Sequence, residues 1–185
     1  KVFKQSAPVI KLPEGASEEE HLHLLGMLNS STALFWLKQN SYPKGGDPLG
    51  QDGARVSQFP WSDRYEFTGT TLQDFPLAPA DFTEHGRLLD HLAAEHAATE
   101  PSAVLADAAP SAEILDQAHE RSQDTREQMI AAQEELDWYA YRAYGILQED
   151  LTCTGAGIVK PPRVRLGERA FEIALARRIA SGQET

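Results

Sequence analysis

Few residues in this chain have both the type and the spacing to do chemistry, and each is weighed against its plainer role first. His21 and His23 stand two apart on a predicted helix. A metal pair on a helix wants four-residue spacing so that both rings share a face, and two-residue spacing sends them to different faces. They read as ordinary surface or half-buried histidines. Glu134, Glu135 and Asp137 could serve acid–base work, but on a long polar helix they read as a solvated face. Cys153 is the single cysteine, with no histidine near it in sequence to activate it as a nucleophile. One cysteine also excludes an internal disulfide and a cysteine-based zinc site. The stretch Thr154-Gly155-Ala156-Gly157 is too isolated to form a phosphate loop. The chain is expected to carry no catalytic centre and no metal.

Residues 38–66 carry a different kind of chemistry. Lys38, Gln39, Asn40, Lys44, Gln51, Arg55, Gln58, Trp61 and Arg64 are interleaved with glycines that permit close backbone approach. Arginine and lysine suit phosphates and guanine edges, and glutamine and asparagine suit adenine edges. The same composition also fits an ordinary solvated loop. A second cationic run, Lys160, Arg163, Arg165, Arg169, Arg177 and Arg178, is read equally as a phosphate contact or as a pairing surface for a strongly acidic long helix expected over 111–144. Overall charge argues against a nucleic-acid partner, since the 185 residues hold 17 Lys and Arg against 28 Asp and Glu, a net charge of -11. The distribution changes that inference. Residues 1–80 balance at -2 and residues 151–185 at +3, so the acidity belongs to residues 81–150, at -12.

The elements that must position these residues are partly marked in the sequence. Val2 to Pro13 reads as one or two short edge strands interrupted by Pro8. Ser17 and Glu20 form a capping box, opening one helix whose buried face is Leu24, Leu25, Leu28, Thr32, Phe35 and Trp36. After the polar loop, residues 64–68 read as a strand and residues 72–77 as a second extended piece. Asp81 and Glu84 form another capping-box pattern, for a helix running to about His96. Residues 97–110 read as an Ala/Pro-rich linker. A long helix over 111–144 follows, with a thin apolar seam of Leu115, Ala118, Met129, Ala132, Leu136, Tyr139 and Ala143, closed by Gly145. A last helix is expected over 167–180. The fold class is α+β, mostly helical: a small β-sheet packed on a helix, followed by a helical hairpin or long spacer helix. No apolar run is long enough for a membrane span or a secretory signal, and a cytoplasmic setting is expected. Because the chain starts at Lys1 rather than Met, it reads as a piece of a longer protein.

Four blocks of residues carry a family resemblance. The run from Leu24 to Gln39, LLGMLNSSTALFWLKQ, resembles a helix of the PglX-like adenine-specific DNA methyltransferases of BREX phage-resistance systems. Similar Leu-Asn-Ser helices occur in the TaqI-like specificity domains of related type IIG restriction–modification enzymes. Residues 65–72 and 75–77, YEFTGTTL and FPL, are similar to a later segment of that family. Glu134 to Trp138 with Tyr144-Gly145, and Leu166 to Ile173 with Ala176-Arg177-Arg178, resemble two further blocks in the same order.

The resemblance implies a larger parent enzyme that uses S-adenosylmethionine to methylate adenine N6, with this chain as its C-terminal target-recognition region. The parent's catalytic residues are not expected here. A base-gripping motif of a polar residue, two prolines and an aromatic is missing, since Asp47-Pro48-Leu49 lacks the second proline and the aromatic. No cofactor is expected on this chain; S-adenosylmethionine belongs to the parent. On this reading, residues 1–80 form the target-recognition segment, 81–150 a helical spacer, and 151–185 a basic C-terminal helical segment. The expected partners are double-stranded DNA, the catalytic methyltransferase domain of the same parent chain and other defence-system proteins, with no membrane. The expected DNA-contact residues are Lys38, Gln39, Asn40, Lys44, Gln51, Arg55, Gln58, Arg64, Arg163 and Arg165. The alternative is a helical protein-interaction module whose acidic helix docks another component of the defence system.

Overall fold

A computed structural model of the chain describes residues 9–43, 65–106 and 111–153, together with the single positions 179 and 182. Among these residues the elements are α1 (Glu18–Leu28), α2 (Ser31–Asn40), β1 (Tyr42–Pro43), β2 (Tyr65–Glu66), α3 (Gly69–Gln73), α4 (Thr83–Ala97), α5 (Pro101–Val104) and α6 (Ala112–Ala143). The chain divides into two compact units. Residues 1–16 and 31–77 form the first; residues 17–30 and 78–185 form the second.

The described residues are mostly helical, as anticipated, but the small β-sheet packed on a helix is not found among them. What stands in its place is an antiparallel ladder of two-residue strands, with Tyr42 opposite Glu66 and Pro43 opposite Tyr65. Residues 9–12 adopt no regular structure, and residues 1–8 lie outside the described set. The expected extended piece at 72–77 is also corrected, because Gly69–Gln73 is helical. Thr68 is the cause: its hydroxyl accepts from the Thr71 backbone N–H at 3.2 Å, a cap that starts a helical turn.

The capping box predicted at Ser17 and Glu20 is present. Ser17 Oγ accepts from Glu20 N at 3.2 Å, and Glu20 Oε2 accepts from Ser17 N at 2.7 Å. The single helix predicted from there to Asn40 is instead two. Asn29 Nδ2 donates to the Leu25 carbonyl and Ser30 Oγ to the Met27 carbonyl, both at 2.8 Å. These side chains take the last carbonyls of α1 and interrupt the helix, the local competition that makes Asn and Ser poor interior residues. The interruption coincides with the border between the two units.

Splitting the helix also changes its buried face. Leu22, Gly26, Met27, Ser30 and Ala33 are buried, whereas Leu25 and Phe35, assigned to the core from their spacing, are exposed. In the first unit, Trp36 on α2 meets the buried Phe75 edge to face, with ring centroids 5.4 Å apart.

The second unit is built on α1, α4 and α6. Gly26 and Gly86 let the backbones of α1 and α4 touch: a Cβ on Gly86 would lie 2.0 Å from the Leu22 carbonyl oxygen, and one on Gly26 would lie 2.6 Å from that of Phe82. Around this contact Leu22, Met27, Phe82, Leu92, Ala118, Ala132 and Leu136 form the core. The start of α4 departs from the anticipated capping box. Asp81 Oδ1 accepts from Thr83 N and Thr83 Oγ1, while Glu84 pairs with Arg87. The backbone N–H of Phe82 is satisfied from α1 instead, donating to His23 Nδ1 at 3.2 Å. Between α4 and α6, the region read as a linker holds the short α5, with Pro101 in its first turn.

The end of α6 matches its prediction. Gly145 has φ 70°, its N–H donates to the Arg142 carbonyl, and the Ile146 N–H donates to that of Tyr141. This is the doubly bonded left-handed cap that glycine favours. Of the predicted helix over 167–180, only position 179 is among the described residues, and it is helical.

Candidate nucleic-acid interface

The anticipated DNA-contact residues fall into two groups. Lys44, Gln51, Arg55, Gln58, Arg64, Arg163 and Arg165 lie outside the described residues. Lys38, Gln39 and Asn40 form the last turn of α2, in the first unit, and all three are exposed. Lysine suits this position because the carbonyl end of a helix carries partial negative charge. The side chain of Asn40 is partly committed, since its Nδ2 donates to the Trp36 carbonyl at 2.8 Å and serves the helix end. Lys38 and Gln39 are the other two exposed side chains of the turn.

The structure adds aromatic residues that the composition of the loop did not suggest. The Lys38 ammonium stands over the Tyr65 ring, 5.9 Å from its centroid. Tyr65 is itself stacked on Phe67, with centroids 6.3 Å apart and an interplanar angle of 15°. Phe67 directly follows β2, and residues two apart project on one side of extended backbone. Tyr42, which directly follows the last turn of α2 and Ser41, is 83% exposed, and Phe35 on α2 is 65% exposed. An edge that combines a cation, amides and exposed rings has the chemistry to meet phosphates and bases. The one sequence signal for Tyr42 was its place before Pro43, at the mouth of a polar loop.

The residues weighed for catalysis have other employment. His21 Nδ1 lies 2.8 Å from the Ser17 carbonyl oxygen. His23, besides accepting from Phe82, lies 3.5 Å from Asp81 Oδ1 and meets the Phe82 ring edge-on. Among the described residues, no group of three or more His, Cys, Asp or Glu side chains is arranged to hold a metal ion. None of the described helices is long and apolar enough to cross a membrane.

The acidic cluster is the clearest correction. Glu134, Glu135 and Asp137 are not a solvated face but are 6%, 5% and 7% exposed. They sit in the part of α6 where Ala131, Ala132, Leu136 and Ala140 are also buried, so the helix is enclosed over most of its circumference. Glu135 takes the backbone N–H of Cys153 on both carboxylate oxygens, at 3.0 and 2.8 Å, and Asp137 accepts from Gln133 Nε2 at 3.2 Å. Burial, followed by the hydrogen bond and charge of Glu135 and the charge of Glu134, pushes the Cys153 thiol up to about 11. It therefore stays protonated at neutral pH, the opposite of an activated nucleophile.

His85 faces the same region. Its ring lies 4.7 Å from that of Tyr139, and burial lowers its pKa from the usual 6.5, against the opposing pull of Glu135 and Glu84. The Tyr139 hydroxyl donates to the Asp81 carbonyl at 2.8 Å, tying α6 to the start of α4.

Two comparisons place these observations among known proteins. Residues 129–185 match a family described as a domain of unknown function, DUF7008. Its range takes in the buried acidic turn and the cationic C-terminal run together. The chain is also 58% identical, over 182 residues and 98% of its length, to a Streptomyces coelicolor protein named adenine-specific methyltransferase PglX. It spans 15% of the length of that protein. No solved structure matches the chain.

Proposed function

We propose that this chain is the DNA-recognition region of a larger S-adenosylmethionine-dependent methyltransferase that modifies adenine N6 in phage defence or restriction–modification. The observation that carries this reading is the 58% identity to an adenine-specific methyltransferase, sustained along 98% of the chain. The chain equals only 15% of that relative, which leaves ample length for a separate catalytic domain. Cofactor binding and methyl transfer are assigned to that domain, and the chain itself presents the duplex.

The first unit is the proposed reading surface, as in the specificity domains of TaqI-like enzymes. Lys38 and Gln39 end α2, and Lys44, Gln51, Arg55, Gln58 and Arg64 follow them in the sequence. Exposed carboxylates on α6, among them Glu113, Asp116 and Glu120, repel phosphate and bias the duplex away from the long helix. That helix serves as the spacer, and Arg163 and Arg165 are the secondary contact.

The test is binding of the 185-residue chain to a fluorescently labelled duplex over a range of salt concentrations. Duplex binding should weaken linearly in log salt, by a slope of about 0.9 per phosphate neutralised. No binding at low salt would reject the reading.

The exposed acids of α6 favour a second reading, in which this helix docks another component of the defence system. Deleting residues 112–128 separates the two, because a docking helix loses its partner while a spacer leaves duplex affinity intact.

A further inference from the structure

We propose that Tyr65 is the positioning residue for Lys38, holding its ammonium where it meets a phosphate of duplex DNA. The inference rests on the DNA-recognition reading of the chain. A lysine side chain is a point charge on four rotatable carbons, and an exposed one spreads its charge over many conformers. Lys38 is exposed, yet its Nζ stands over the Tyr65 ring, 5.9 Å from the centroid. A cation is attracted to the face of an aromatic ring by the ring's quadrupole.

The ring is a fixed platform for two reasons. Its backbone is paired with Pro43 in the β1–β2 ladder, and its face is stacked on Phe67 at 6.3 Å and 15°. A carboxylate in the place of the ring would neutralise the lysine, whereas a ring orients it and leaves its charge and outward N–H donors for an anion. Tyr65 thus acts through Lys38 and needs no contact with DNA. Its hydroxyl has no part in this, so phenylalanine should substitute for it and leucine should not.

The experiment compares Lys38→Ala, Tyr65→Leu, Tyr65→Phe and the double variant Lys38→Ala/Tyr65→Leu in duplex affinity and salt dependence. Lys38→Ala should lower the slope of log affinity against log salt by about 0.9, the loss of one phosphate contact. Tyr65→Leu should weaken binding about two- to fivefold, the range that an exposed cation–ring contact supplies. Tyr65→Phe should bind as wild type, and Tyr65→Leu should have no further effect once Lys38 is gone. Proton NMR supplies a readout independent of DNA and reports folding in the same spectra. The Lys38 Hε signals should be shifted upfield by the ring in wild type and Tyr65→Phe, and relax to ordinary values in Tyr65→Leu.

If Lys38→Ala weakens binding and Tyr65→Leu does not, the positioning role is overturned while the DNA reading stands. Equal weakening by Tyr65→Leu with or without Lys38 also overturns it, since Tyr65 would then act by itself. If Lys38→Ala leaves both affinity and salt slope unchanged, Lys38 is not on the DNA face, and the DNA reading of this turn fails together with the role of Tyr65.

Discussion

Replacing Gly86 with alanine should destabilise the chain, even though alanine is the better helix former. The added Cβ would stand 2.0 Å from the Leu22 carbonyl oxygen, and ordinary van der Waals contact begins at 3.4 Å. Because the obstacle is backbone and not a movable side chain, α1 and α4 must part by about 1.4 Å, the difference between those distances. Parting them loosens Leu22, Met27 and Phe82, which close the core at this crossing. Overpacking of this kind costs about 1–3 kcal/mol, and the rigid obstacle puts it at or beyond the upper end. Helix propensity returns about 1 kcal/mol. The net loss is about 2 kcal/mol, which for a chain of this size lowers the melting temperature by roughly 4–8 °C. Urea unfolding followed by circular dichroism measures it, with Gly69→Ala as control, since a Cβ there meets nothing within 4 Å. A Gly86→Ala chain as stable as wild type would refute the close-contact account of the second unit.

Further perturbations probe the same unit. Tyr139→Phe removes the hydroxyl that donates to the Asp81 carbonyl, and should cost about 0.5–1.5 kcal/mol in the same urea assay. His85 has a pKa lowered by burial, so the unfolded chain takes up its proton first; its contribution is intact above 6.5 and is lost as pH falls below that value. His85→Phe should flatten this part of the stability profile, and an unchanged profile would remove His85 as its source. Asp81 and Asp150 are held below the usual carboxylate pKa of 3.8, chiefly by hydrogen bonds from Thr83 and Thr152, so their contribution is present above that value and fades as pH falls further. Thr83→Val should raise the pKa of Asp81, read by NMR titration. The Cys153 thiol, at about 11 against an ordinary 9, should alkylate about a hundredfold more slowly at pH 8 than in the denatured chain. Equal rates would show that the thiol is not held protonated.

Local signals were the legible part of this fold. The Ser17–Glu20 box, the long α6 and its Gly145 stop all depend on residues close in sequence, and all three are where their patterns put them. What escaped detection depends on contacts distant in sequence. The Leu24–Trp36 stripe fits one amphipathic helix, but Asn29 and Ser30 turn their side chains onto carbonyls of α1 and divide it. The role of Gly26 and Gly86 is visible only once α1 meets α4, because neither position needs glycine for its own helix. Glu134, Glu135 and Asp137 mislead most, since charge in sequence argues for solvent and nothing local reveals that α6 is enclosed there. For the proposed interface, residue type suggests Lys38 and Gln39, whereas the placing of the Tyr65 ring by Lys38 depends on the ladder that brings β2 beside β1.

The measurement that bears most directly on the proposed recognition role is methylation by the proposed parent enzyme carrying Lys38→Ala, Lys44→Ala, Arg55→Ala and Arg64→Ala together. With target duplex as the varied substrate at moderate salt, the KM for DNA should rise at least about tenfold, as the loss of several phosphate contacts requires. Binding of S-adenosylmethionine should be unaffected, because no cofactor contact is assigned to this chain. Unchanged methylation at every DNA concentration would contradict the account and remove this surface from DNA recognition.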